Sequence, residues 1–356
     1  MGCLKKIKQT LTDENIDGFL ITNAVNIRYV TNFTGSESIL LITPECDYLF
    51  TDFRYIEQAH QDIPWIKIVE KKNSLERTIC GKLKRLKIKK LYVESLYLTV
   101  CQYHDITDGN DGICLIPTKG IVEQYRKRKT AQELAKIRTA IHIAERAYDV
   151  VRKKIRTGIS EKRIADFIEY EIRNQGGERS SFEIICAAGQ RASLPHARAT
   201  NRIIQGKEAV LIDWGVCFQF YNSDLTRIHF TDKISSEYRK IYQIVLDAQN
   251  FAIDSIKPGR KAKDVDHAAR NYIQKKGFTK CFGHGLGHGI GLEVHEGPTI
   301  NGRSKEILEE NMVFTVEPGI YIPGWGGVRI EDMVLVTSCG YEVLSQAPKK
   351  LKEITI

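Results

Sequence analysis

The chain has 356 residues, of which 42% are hydrophobic and 27% charged, and a formal net charge of +9. These are the proportions of an ordinary globular protein, and they exclude a disordered tail, a collagen-like rod and a membrane bundle. At this length about three quarters of the unfolded surface is buried on folding, enough for two domains. Nine cysteines, at positions 3, 46, 80, 101, 114, 186, 217, 281 and 339, are odd in number, widely spaced and free of any CxxC pair. That usage points to a reducing compartment, not to a disulfide framework or a thiolate zinc site. Charges interrupt the N-terminal stretch before any secretory core forms, and no apolar run approaches the ~20 residues of a membrane span. A cytoplasmic protein without a membrane partner is expected.

Residues 1–122 read as a small α/β domain. A helix over Leu4–Leu11 precedes an apolar strand, Gly18–Thr22. Strands Ser38–Thr43 and Asp47–Thr51 are separated by Pro44-Glu-Cys46, a hairpin-sized connection. Trp65–Val69 and Lys90–Val93 are further strands with a helix between them. The basic run Lys82–Lys90, KLKRLKIKK, interleaves Leu83, Leu86 and Ile88 with charge, as a solvated helix face ending in a strand would. It holds no aromatic side chain on which bases could stack, so nucleic acid is not an expected partner. Between Pro117 and Arg128, Gly120 and the basic run 126–129 break the periodicity, giving domains 1–122 and 123–356. The first carries 16 basic and 15 acidic groups, the second 37 and 29, so the positive charge is concentrated in the second.

The second domain opens on a helix. Thr130-Ala-Gln-Glu133 has the form of a capping box, and Leu134, Ile137, Ile141, Ala144, Tyr148 and Val151 follow as one apolar stripe. An internal echo comes next. Ile155-Arg-Thr-Gly158, Ile164, Ile172 and Gly176 recur 101 residues later as Ile256-Lys-Pro-Gly259, Val265, Ile273 and Gly277. Each copy reads as helix, glycine stop, helix, glycine stop. Strand-type runs follow each copy: Ser181–Ala187, Glu208–Gly215 and Leu225–Phe230 in the first, Met312–Ile320 and Val328–Val336 in the second. Two similar α+β halves facing each other are expected.

Acids interrupt these apolar runs. Asp213 and Asp224 flank one hairpin, and Glu317 and Glu331 lie in the two later strands. A buried carboxylate needs a partner or it neutralises. If the halves pack face to face, four acids converge and cannot all ionise unaided; two divalent cations would balance them. The glycine-rich run Phe282–Pro298 adds His284, His288 and His295. It lacks the Lys-Ser/Thr of a phosphate loop and no dinucleotide-binding unit follows it, so phosphate cradling is a poor reading. His196 sits in the loop Ser193–Ala197, where by itself it reads as structural.

Six strings carry a resemblance: Ile212-Asp-Trp-Gly215, Asn222-Ser-Asp-Leu-Thr-Arg227, His284-Gly-Leu-Gly-His288, His295-Glu-Gly-Pro298, Thr315-Val-Glu-Pro-Gly319 and Val328-Arg-Ile-Glu-Asp332. In order and local context they resemble the pita-bread metallopeptidases, in the Xaa-Pro aminopeptidase and prolidase branch. The resemblance is strong over about 125–356 and weaker over the first ~120 residues, which look like that branch's creatinase-like N-terminal α/β domain. It implies an α+β fold with a duplicated pita-bread catalytic domain. It also implies five metal ligands: Asp213 on one cation, His288 on the other, Asp224 and Glu331 bridging, and Glu317 completing the second. Such an oxygen-rich set suits two Mn²⁺ ions, with Co²⁺, Fe²⁺ or Zn²⁺ as other candidates.

The implied chemistry is attack on the scissile carbonyl by a hydroxide held between the cations. Glu317 then shuttles the proton, His295 stabilises the oxyanion and His196 contacts the leaving-group side. His284, Tyr321 and Arg329 match substrate-side positions, and Arg329 is equally well read as the partner of a ligand carboxylate. The expected activity is release of the N-terminal residue from peptides with proline second. A dipeptidase restricted to Xaa-Pro is the alternative, and a non-catalytic pita-bread binding module is the rival of another class. Creatine-cleaving relatives lack these ligands, and methionine aminopeptidases generally lack this kind of N-terminal domain. The resemblance also implies a homodimer or larger oligomer.

Overall fold

Strand β1 (Gly18–Ile21) is buried along its whole length, which requires apolar cover on both faces of its sheet. In the computed structural model, which describes residues 2–72 and 74–354, its side chains alternate between two cores. Phe19 and Ile21 pack with Ile7 and Leu11 of helix α1 (Gly2–Asp13), while Leu20 joins a cluster on the other face. Helices α2 (Ala24–Thr31) and α3 (Ile56–Asp62) pack on the α1 side, and α4 (Leu75–Leu86) and α5 (Val100–Asp108) on the opposite side. The remaining strands are β2 (Ser38–Ile42), β3 (Asp47–Thr51), β4 (Lys67–Glu70), β5 (Lys90–Glu94) and β6 (Cys114–Thr118), and the six form one mixed sheet in the order β4-β3-β2-β1-β5-β6. The short helix α6 (Glu123–Arg126) closes this compact unit at Arg126; the second unit begins at Lys127.

Within this unit the expected hairpin pairs Ser38 with Thr51 and Ile42 with Asp47. The basic run divides as its pattern implies, with Leu83 buried in α4 and β5 opening at Lys90. Helix α2 was not foreseen. Val25, Ile27, Val30 and Thr31 are β-branched and favour a strand over a helix. The Asn23 side chain overrides them by accepting from the backbone N–H groups of Val25 and Asn26, which caps a helix.

The second unit begins with α7 (Ala131–Val151). Both bonds of its capping box form: the Thr130 N–H donates to Glu133, and the Glu133 N–H to the Thr130 hydroxyl. Helices α8 (Glu161–Asn174) and, after α9 (Ser236–Asp254), α10 (Ala262–Lys275) start and stop 101 residues apart. The glycines that punctuate them, 158 and 176 against 259 and 277, all take positive φ, between 80° and 96°. The sequence echo is therefore a structural one.

The strands of this unit are β7 (Arg179–Ser180), β8 (Ile185–Ala188), β9 (Ala209–Trp214), β10 (Val216–Phe218), β11 (Tyr221–Asn222) and β12 (Leu225–Phe230), then β13 (Gly287–Gly289), β14 (Glu296–Ile300), β15 (Val313–Val316), β16 (Gly319–Ile322), β17 (Gly326–Arg329), β18 (Asp332–Val336) and β19 (Tyr341–Val343). They form sheets ordered β11-β10-β7, β12-β9-β8, β14-β13-β15-β18-β19 and β16-β17.

Three expected strands are broken. Ser181–Ala187 is strand only from Ile185. Met312–Ile320 breaks at Glu317-Pro318, where proline has no N–H for a ladder. Val328–Val336 breaks at Ile330-Glu331, where the Glu331 N–H turns to donate to the Thr226 carbonyl. Glu317 and Glu331 thus sit at the breaks and not inside strands. Among the described residues no helix is long and apolar enough to cross a membrane.

A Cβ added at Gly158 or Gly259 would meet nothing within 4 Å, so substitution there costs backbone strain alone. Gly158→Ala and Gly259→Ala should each lose about 1–2 kcal/mol and add independently in the double variant, measured by urea denaturation.

Candidate metal centre

Strand β9 places the first acid by alternation. Trp214 stacks on Tyr148 at 4.5 Å and its indole N–H donates to the Ala144 carbonyl, fixing that side chain against α7. Its neighbour Asp213 must then point to the opposite face. Across the β9–β12 ladder Asp213 is paired with Thr226, and Asp224 lies just before β12. From the second half, Glu317 and Glu331 enter at the two strand breaks. His288 sits in β13 between two glycines that packing requires. A Cβ at Gly287 would lie 1.9 Å from the Thr315 carbonyl oxygen, and one at Gly289 would lie 2.0 Å from that of Gly297.

These residues line one cleft of about 570 Å³. Nine of the ten residues singled out from the sequence line it: His196, Asp213, Asp224, His284, His288, His295, Glu317, Arg329 and Glu331. The tenth, Tyr321, lies behind the wall, its hydroxyl 3.0 Å from His284 Nε2 and donated to by Arg329 Nη1 at 2.9 Å. His196 and His295 are exposed at the cleft surface, whereas the acids lie deeper.

Asp224, His288 and Glu331 each offer a ligand atom, and the three atoms lie within 4.8 Å of one another. His288 Nε2 is 3.6 Å from Asp224 Oδ2 and 3.4 Å from Glu317 Oε1. Asp213 is drawn to the other side, its Oδ2 accepting from Arg329 Nη2 at 2.5 Å. Arg329 also donates to Thr226 Oγ1, Tyr321 and the Pro195 carbonyl. Its guanidinium is therefore the partner of an acid, one of the two roles the sequence left open.

The electrostatics are those of an unbalanced site. Burial, then repulsion from Glu331, Asp213 and Glu317, holds the Asp224 carboxyl far above the usual range. Burial followed by Glu317 and Asp213 does the same to Glu331. Glu317 is pushed up to about 7, chiefly by burial, with Arg329 opposing. Burial and then the charge of His295 bring His288 down to about 4, leaving the imidazole neutral at pH 7 and able to ligate. Burial likewise lowers His284 to about 4, and lowers His295.

The residues fit divalent cations. Asp213 Oδ1, Asp224 Oδ1 and Glu331 Oε1 are buried and accept no hydrogen bond, although native interiors satisfy nearly all such atoms. Four carboxylates face one guanidinium, and the donor set is oxygen-rich with a single imidazole.

Several supporting residues escaped the sequence reading. Thr226 donates to Glu331 Oε2 at 2.6 Å, and Thr315 to Glu317 Oε1 at 3.1 Å. Each threonine lies two residues from an acid, a spacing that a strand would place on one face. Buried Arg227 donates to the Glu331 carbonyl and to Asp332 Oδ1, and Lys349 pairs with Asp332 from the C-terminal segment. No local signal marks Lys349.

Two outcomes follow. Thr226→Val should weaken divalent-metal binding roughly 10- to 100-fold, read by titrating chelator-stripped protein. A carboxyl group whose pKa is higher in the folded chain gives up its proton on unfolding, so rising pH favours the unfolded chain. The depressed histidines act only below about 6.5. Metal-free protein should therefore lose thermal stability between pH 6.5 and 8, and saturating Mn²⁺ should remove that slope; a flat metal-free profile would contradict the assignment.

Comparison with known proteins agrees with this geometry. Residues 135–338 match metallopeptidase family M24, and residues 4–128 match the creatinase/prolidase N-terminal domain. The chain is 39% identical to "Uncharacterized peptidase YqhT" of Bacillus subtilis, over 98% of this chain and 99% of that one. Among solved structures it is similar to an Xaa-Pro dipeptidase from Bacillus anthracis, at 40% identity and a TM-score of 0.95, covering 99% of both chains. It is also similar to an X-Pro aminopeptidase from Thermotoga maritima, at 38% identity and a TM-score of 0.87, covering 94% of this chain and 97% of that one. The duplicated α+β unit, its acid-lined cleft and these matches place the chain in metallopeptidase family M24, behind a creatinase/prolidase N-terminal domain.

Proposed function

We propose that the protein is an Xaa-Pro aminopeptidase, an exopeptidase that uses two divalent cations to release the residue preceding an N-terminal-side proline. The observation that carries this reading is the meeting of Asp213, Asp224, His288, Glu317 and Glu331 on one cleft whose walls hold His196, His284 and His295. Asp213, Asp224, His288, Glu317 and Glu331 would hold the cations. When bound, the cations supply Lewis-acid polarisation of the scissile carbonyl and acidify an attacking water.

The chain's own groups do the rest. Glu317 accepts a proton at one oxygen and passes it towards the leaving nitrogen. His295 donates to the oxygen on which charge develops. His196 and His284 face the side of the proline residue, with Tyr321 holding His284 from behind. Arg329 keeps Asp213 oriented.

Proline in second position is supported by the names borne by the two similar solved structures. A chain continuing past proline is favoured by the cleft itself. Its two guanidinium groups, among the described residues, are engaged: Arg329 with Asp213, and Arg198 with Glu183 at 3.3 Å. Arg329 is committed to a buried acid, so a dipeptide's carboxylate would have only the exposed Arg198 to turn to. The second reading, a dipeptidase, is favoured by the similarity to the B. anthracis structure, and it would need Arg198 to leave its exposed, weak pair.

A Mn²⁺-supplemented assay of Xaa-Pro-Yaa tripeptides beside Xaa-Pro dipeptides separates the readings. Cleavage of tripeptides supports the aminopeptidase, cleavage of dipeptides alone the dipeptidase, and metal binding without cleavage a binding module. Glu317→Ala should abolish turnover. His295→Ala should lower kcat by roughly 10²–10³ with metal content unchanged; loss of metal would make His295 a ligand instead.

A further inference from the structure

Two buried acids in the duplicated helices have no place in the chemistry above, yet they share a design. Glu161, the first residue of α8, has no exposed surface. It accepts from the backbone N–H of Ala188 at 2.9 Å, from Arg191 Nε at 3.1 Å, and from the Thr200 hydroxyl and N–H at 2.7 and 3.2 Å. Arg191 Nη2 in turn donates to the Arg198 carbonyl at 2.7 Å. This one carboxylate thus ties both ends of the segment 189–200, which carries His196 and the Pro195 carbonyl held by Arg329.

Asp266 in α10 also has no exposed surface. It accepts from the Leu286 N–H at 3.2 Å and from Arg270 Nη2 and Nε at 2.7 and 2.8 Å. Arg270 Nη2 donates onward to the His284 carbonyl at 2.7 Å, and Nη1 to that of Phe282. The repeat places Ala262 opposite Glu161, and Asp266 lies four residues on, one helical turn along the same face. In both copies a fully buried acid takes loop N–H groups, two at Glu161 and one at Asp266, and a partly exposed arginine bridges it to a loop carbonyl. Each loop presents one histidine to the cleft.

We propose that Glu161–Arg191 and Asp266–Arg270 are two analogous clamps, built at different positions of the two halves, that set the positions of His196 and His284 and so register the residue following the scissile bond. They are positioning residues: none of the four lines the cleft. The assignment of His196 and His284 to the substrate rests on the function proposed above. The clamps themselves rest only on the geometry.

The arginines are the variants of choice, because removing a buried acid invites unfolding. Amide hydrogen exchange in Arg191→Ala should rise across 189–200 and stay at the wild-type level across 282–286. Arg270→Ala should do the reverse. Each variant should lower the preference for Ala-Pro-Ala over Ala-Ala-Ala, as a ratio of kcat/KM, roughly 10- to 100-fold at unchanged metal content. Arg→Lys at either position should recover part of the loss, since the ammonium keeps the ion pair but not the fork. Unchanged exchange in both loops overturns the clamps. Loosened loops with unchanged proline preference, or with loss of metal, overturn their role in substrate registration. Should the wild-type protein cleave no Xaa-Pro peptide, the proposed function fails, and the exchange measurements still judge the clamps.

Discussion

The structure is organised around a like-charge problem. Asp213, Asp224, Glu317 and Glu331 are brought to one buried cleft, where the low dielectric that strengthens attraction also strengthens repulsion. Arg329 supplies one positive charge and spends it on Asp213. Asp224 and Glu331 are each left with an unpaired oxygen and a strongly raised proton affinity. Such a site is stable when cations enter it and costly otherwise, which makes metal binding part of the energetics of the fold and not an addition to it.

The scaffold shows how that cost is carried. Three of the four acids are held by neighbours: Trp214 locked against α7 turns Asp213 inward, Thr226 and Thr315 donate to Glu331 and Glu317, and Arg227 with Asp332 and Lys349 fixes the backbone at Glu331. Thr226 is the hinge of the arrangement. It faces Asp213 across the ladder, accepts from Arg329 and donates to Glu331, so it joins both halves through one hydroxyl. Duplication makes this economical. One helix–glycine–helix frame, used twice, presents an acid pair and a histidine-bearing loop from each side.

Much of the site was legible in the chain. Acids in apolar runs, three histidines in twelve residues and a 101-residue echo are all patterns that ordinary core packing does not produce. The strands were less legible where the site bends them. Met312–Ile320 and Val328–Val336 are continuous apolar runs, yet their ladders stop at Glu317-Pro318 and at Ile330-Glu331. Hydrophobic periodicity records burial, and a ladder that turns to deliver an acid to the cleft stays buried through the turn. Helix α2 was missed for the opposite reason: one side-chain cap at Asn23 outweighs four β-branched residues.

The sequence alone determined which acids and histidines stand out and that two similar halves frame them, because residue type and repeat spacing are local properties. Tertiary structure decided the rest. It decided that Arg329 pairs with an acid, that Tyr321 stands behind His284, and that Glu161, Asp266 and Lys349 reach across long stretches of chain to hold loops and backbone in place. These partnerships join residues from 17 to 116 positions apart. No local pattern encodes them, since a buried charge is indifferent to where in the chain its partner comes from, provided the fold delivers it within hydrogen-bond reach.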